Sequence, residues 1–121
     1  MYFEIDDFNA LRQALQQMCL TFTAEHIPED AVFNSKLVAD ELLSNVLQHG
    51  GGRAYFNAAK EGDEIKLTVR GENEYRPPEQ SACANVLAER GRGLFLVDAY
   101  CERREYSERD GIRVFIKIVR K

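Results

Sequence analysis

Between Asp40 and Gly71 the chain reads DELLSNVLQHGGGRAYFNAAKEGDEIKLTVRG, and its hydrophobic period changes in the middle. Before the three glycines, Leu42, Leu43, Val46 and Leu47 recur at helical spacing, and Gly50 is a natural helix stop. After Arg53 the period falls to two. RAYFNAAK reads as a strand, EGD as a tight turn, and EIKLTVRG as a second strand. In that second strand Ile65, Leu67 and Val69 face one way, and Glu64, Lys66, Thr68 and Arg70 the other. A helix running into a hairpin with one buried face calls for helices laid on one side of a sheet.

Upstream, Tyr2 to Ile5 forms a short edge strand. Asp7 then caps a helix with apolar positions at Phe8, Leu11, Leu15, Met18 and Phe22, ending near His26. Pro28 suits the first turn of a second helix, which is expected to run to His49 and to pack Phe33, Leu37, Leu42, Leu43, Val46 and Leu47. Downstream, Gly71 to Arg90 carries Pro77 and Pro78 among small and polar residues and reads as a long loop. GRGLFLVDAYC follows as a glycine-led buried helix, then strand CERREYS, turn ERDG and strand GIRVFIKIVR, with Ile112, Val114, Ile116 and Ile118 on one face. The order is β-α-α-β-β-loop-α-β-β. The fold class is α+β, a two-layer α/β sandwich with a mostly antiparallel mixed sheet covered by helices on one face, and residues 1–121 are expected to form a single domain.

A chain of 121 residues can bury an independent core, and 45% hydrophobic with 30% charged residues is an ordinary globular balance. The net charge of −4, with both signs interspersed, lacks the basic field that direct nucleic-acid binding requires. Cys19, Cys83 and Cys101 have no metal or redox spacing, and the first residues lack the pattern of a secretory signal, so a cytoplasmic location is expected. No apolar run is long enough to cross a membrane. His26 and His49 do not make a zinc site, which wants four soft ligands at closer spacing.

Two polar features remain. Glu41, Asn45 and His49 stand at every fourth position, within an arc of roughly 80° on a helix. A carboxamide there can ligate Mg²⁺ through oxygen, and a carboxylate one turn away can orient or deprotonate a nucleophile; a plain solvated helix face has the same pattern. The second feature is ERGRGLF, Glu89 to Phe95. Glycines that open a helix let its first-turn N–H groups approach a phosphate, with Arg90 and Arg92 adding charge, although a loop-to-helix junction needs no ligand to look this way.

Taken together and in this order, the two features resemble a known family. ELLSNVLQHG is similar to the N-box of the GHKL ATPase superfamily, whose fold is the Bergerat type. GRGLFLVDAYCERREYS followed by GIRVFIKI resembles its G2 box and closing hairpin, as found in the small bacterial anti-sigma factor serine kinases. The resemblance runs from about Phe33 to Val119. It implies that Glu41 is the catalytic base acting on a seryl hydroxyl, that Asn45 ligates Mg²⁺ at the phosphates of ATP, and that His49 lies beside the nucleotide. It also implies that Arg90, Gly91, Arg92, Gly93 and Leu94 bind the nucleotide around its phosphates. The implied partners are a STAS-type anti-anti-sigma protein and a sigma factor, with the kinase acting as a homodimer.

One motif departs from the family pattern. Where the family has Asp-x-Gly-x-Gly, its aspartate accepting a hydrogen bond from the adenine amino group, this chain reads RGENEYRPP. Gly71 stands in the aspartate position, and Glu72 is the nearest candidate to replace it. The loss leaves a non-catalytic, partner-binding relative as the alternative to a kinase.

Overall fold

The computed structural model describes residues 1–50, 52–72, 102–107 and 111–119. Strand β1 (Tyr2–Ile5) leads into helix α1 (Phe8–Ala24), whose start is fixed by Asp7: its Oδ1 accepts the Ala10 N–H at 2.7 Å, satisfying one of the free donors of the first turn. Leu11, Ala14, Leu15, Met18 and Phe22 form the buried stripe. Phe8, expected to join that stripe, is 43% exposed.

His26, at φ +63°, turns the chain into helix α2 (Glu29–Asn45). Pro28 occupies the cap position, and Glu29 and Asp30 place negative charge in the first turn, where the helix dipole favours it. Ala31, Val32, Val38, Ala39, Leu42 and Leu43 face the core. Phe33 does not: at 57% exposure it shares the outward stripe of Lys36 and Asp40, three and seven residues on.

The α-helical pattern also stops earlier than expected. From Val46 to Gly50 the chain forms a π turn, with i→i+5 hydrogen bonds. The wider turn keeps Val46 in the core and leaves Gln48 and His49 exposed.

Strands β2 (Ala54–Glu61) and β3 (Glu64–Gly71) make the expected hairpin across the two-residue turn Gly62–Asp63, with Gly62 at φ +60°. Strands β4 (Arg103–Ser107) and β5 (Gly111–Lys117) complete a five-stranded sheet of order β1-β2-β3-β5-β4. Every pairing is antiparallel. β5 therefore lies between β3 and β4, with Ile65 opposite Ile116, Leu67 opposite Val114 and Val69 opposite Ile112. Gly111 opens β5 at φ +81°, and any Cβ there would collide with the Val69 carbonyl, so this close approach of two strands admits only glycine.

The alternation sorts the sheet into two faces. Ile5, Ala54, Phe56, Ala58, Ile65, Leu67, Val69, Ile112, Val114 and Ile116 are buried against α1 and α2 in one continuous core. Two helices on one face of an antiparallel sheet make the expected two-layer α/β sandwich. The helix expected from Gly91 lies outside the described residues.

Candidate functional site

Helix α2 carries Glu41 and Asn45 one turn apart, on one face. Glu41 is half-buried, and its carboxyl titrates above the ordinary glutamate value, chiefly through burial and secondarily through the neighbouring Asp40 charge. Among the described residues, Ser35 and Asn45 are the buried polar side chains. They differ in one decisive respect. Ser35 Oγ donates to the Ala31 carbonyl at 2.7 Å, the usual way a helix absorbs a buried hydroxyl. The Asn45 carboxamide, at 6% exposure, makes no hydrogen bond among the described residues.

Its polar atoms are not among the fully buried, unpartnered ones of the described residues, so the amide keeps contact with solvent and lies open to an incoming ligand. The amide oxygen suits a hard cation such as Mg²⁺, which keeps several waters and needs only one or two protein oxygens when phosphates supply the others. Among the described residues no group of three or more His, Cys, Asp or Glu side chains could hold a metal by themselves. Asn45 thus fits a phosphate-borne cation better than a cation held by protein alone.

His49 lies at the exposed end of the same ridge, on the π turn rather than on regular helix. Such turns concentrate at functional sites because they re-aim side chains without breaking the helix. Nothing in the composition of VLQHG signals it, and sequence reasoning misses it for that reason.

Gly71 is not in a loop. It is the last residue of β3, opposite Ala54, which is fully buried. Glu72 follows and is exposed. Its N–H donates to the Arg53 carbonyl at 2.7 Å, and its Oε2 accepts the Arg53 N–H at 2.9 Å, a reciprocal bracket that extends the β2–β3 ladder by one step. The side chain borders a cleft of about 440 Å³ lined by Asp6, Asp7, Phe8, Leu47, Gly52 and Arg53. Neither Glu41 nor Asn45 lines that cleft, so the structure does not bring Glu72 to the polar ridge.

A larger cleft, about 710 Å³, runs between the outer sides of α1 and α2 from Leu11 to Ala24 and ends at Lys36 and Asp40, beside Glu41. Cys19 lines it, its thiol pushed upward by burial with the Lys36 ammonium opposing the shift. Arg90, Gly91, Arg92, Gly93 and Leu94 lie outside the described residues, as do Cys83 and Cys101.

The fold agrees with one sequence family. The family model of the histidine kinase-like ATPase domain matches residues 3–118. The chain belongs to that family. No curated protein matches it closely. For the histidine kinase-like ATPase domain, ATP binding is the general property, and the carboxamide of Asn45 is where this chain's described residues present an unengaged acceptor of the right kind. No helix among the described residues is long and apolar enough to cross a membrane.

Proposed function

We propose that this histidine kinase-like ATPase domain is a protein serine kinase of the anti-sigma factor type, dependent on ATP and Mg²⁺, whose substrate is a seryl hydroxyl on a STAS-type anti-anti-sigma partner. The observation that carries the reading is the pairing on α2: a buried Asn45 carboxamide without a partner among the described residues, one turn from a half-buried Glu41 of raised proton affinity. Bound ATP with Mg²⁺ supplies the phosphoryl group and neutralises charge on its oxygens. Asn45 offers its amide oxygen as a fixed ligand on a rigid helix. Glu41 accepts the hydroxyl proton, and the upward shift of its carboxyl, chiefly through burial, makes it a stronger base than an exposed glutamate. The ERGRGLF turn, with Arg90 and Arg92, is assigned to the phosphates by its resemblance to the family's G2 box. In the same reading a second copy forms the homodimer and a sigma factor is the sequestered target, in the cytoplasm.

Transfer of label from the γ-phosphate of ATP to the STAS partner tests this. Glu41→Ala is expected to lower the rate by about 10²- to 10⁴-fold, the usual contribution of a general base, with ATP affinity held within a few-fold. Transfer that survives the substitution, or a chain that binds no ATP with Mg²⁺ up to about 1 mM by calorimetry, overturns the assignment.

A second reading rests on Gly71. With no carboxylate at the end of β3, and with that of Glu72 turned to Arg53, the domain would bind its protein partner without catalysis. Partner binding that is indifferent to ATP, with no transfer, is the outcome that selects it.

A further inference from the structure

The two helices carry little positive charge, and what they carry is gathered in one place. Arg12 is the single charged side chain of α1, and Lys36 is the single cation of α2. Both line the cleft of about 710 Å³ between the outer sides of the two helices. The floor of that cleft is apolar. Leu11, Leu15 and Cys19 step along α1 four residues apart and so fall in one stripe, with Leu20, 60% exposed, at its edge. From Leu11 to Ala24 the cleft follows α1 for roughly 20 Å.

Over the sheet, cations are answered. Arg53, Lys66, Arg103 and Arg113 reach carboxylates, and Arg70 covers the Tyr55 ring at 4.6 Å. Arg12 and Lys36 make no ion pair among the described residues, although the chain as a whole is acidic, with a net charge of −4. The one carboxylate on the cleft, that of Asp40, accepts the Ser44 hydroxyl at 3.3 Å instead. The cleft therefore joins a long apolar floor to two unpaired cations, one from each helix.

We propose that this cleft binds an aliphatic carboxylate, its chain laid along the Leu11–Leu15–Cys19 stripe and its head group drawn by Arg12 and Lys36. The volume lies within the usual range of small-ligand sites, and a mostly apolar lining with a few convergent polar groups is their usual composition. Each part of the ligand answers one part of the site. Burial of the chain supplies affinity in proportion to its apolar area, and the two cations select the sign of the head group. An acidic protein repels anions in general, so attraction of this one has to come from the local pair. The proposal is independent of the nucleotide-binding reading and holds whether or not the domain takes ATP.

Calorimetric titration of the full chain with dodecanoate, octanoate and dodecanol, all below micelle formation, tests the proposal. Dodecanoate is expected to bind tighter than octanoate by about tenfold or more, because its additional methylenes are buried, and tighter than dodecanol by about threefold or more. Arg12→Gln and Lys36→Gln should each weaken dodecanoate by about threefold and leave dodecanol unchanged. Backbone amide shifts on adding dodecanoate should fall on α1 and α2, and thermal melting shows that each variant is folded. Absence of binding up to about 1 mM, an affinity that neither charge substitution alters, or shifts confined to the sheet overturns the proposal. So does an amphipathic peptide bearing carboxylates that occupies the cleft where dodecanoate does not, an outcome that would assign the cleft to a protein partner.

Discussion

The outer face of the sheet and the ridge on α2 are both rich in polar side chains, and they handle them in opposite ways. On the sheet, charge meets charge. Arg103 Nη1 bonds Glu64 Oε2 at 2.8 Å, its Nε reaches Glu105 at 3.6 Å, and its guanidinium covers the Phe115 ring at 3.7 Å. Arg113 also reaches Glu105, Lys66 pairs with Glu61 at 2.8 Å, and Arg53 approaches Glu4. These are cross-strand and near-neighbour pairs that finish a solvent-facing surface. On α2, Asn45 is deeper than any of them and has no such partner among the described residues. The difference separates polar groups matched to one another within the fold from one that keeps only solvent beside it.

Substitution can break that contrast, beginning with its strongest element. Asn45→Leu exchanges an unpartnered, solvent-touching amide for an apolar group of similar size and is expected to weaken nucleotide binding while changing the unfolding free energy by less than about 1 kcal/mol in denaturant titration. A larger loss of stability would mean that the amide is satisfied in the fold. Arg103→Ala works in the opposite sense: losing two ion pairs and the cover over Phe115 should cost about 1 kcal/mol, a part of it removed by high salt, with nucleotide affinity unaffected. Glu72→Ala, which deletes one exposed hydrogen bond from the Arg53 N–H, should cost about 0.5–1 kcal/mol in denaturant titration.

The smallest expected effect concerns Glu41. Its carboxyl titrates higher in the fold than in the unfolded chain, so the protonated form is the one the fold favours. The stabilising contribution is complete below the ordinary value of 4.5 and is lost as pH rises through the folded value. Glu41→Gln should therefore melt slightly above the parent at neutral pH, and the gap should close in acid. A gap that widens in acid would mean that Glu41 is paired in the fold.

Much of the fold is legible in the sequence because its signals are local. The alternation of Ile65, Leu67 and Val69 and the Asp7 cap each depend on residues close by in the chain, and each forms as read. The ridge is legible as a pattern, since Glu41 and Asn45 share a face whatever the helix packs against. Its unpaired state is not, because that depends on what surrounds Asn45 in space. Phe33 misleads because apolar character does not by itself bury a residue: the core-facing stripe of α2 is already filled by Val32, Val38, Ala39, Leu42 and Leu43. Gly71 reads as the start of a loop because glycine weakens a strand signal, yet the ladder to β2 carries through it to the Arg53–Glu72 bracket. The π turn has no composition of its own, and the seat of β5 between β3 and β4 is a long-range choice that no window of sequence contains.

That seat has a kinetic side. β3 pairs with β2 across a tight turn, but it gains its second neighbour only when the distant β5 comes to lie against it, and residues from Glu64 to Val69 then pair with Lys117 to Ile112. Contacts between such distant segments form slowly, because the intervening chain must be closed into a loop before they are rewarded. Until then β3 is an open edge whose apolar face is only partly covered, the kind of edge on which nascent chains stick to one another. The chain is thus most prone to aggregation during synthesis and refolding, late in its assembly, and conditions that hurry the docking of β5 should raise the yield of native protein.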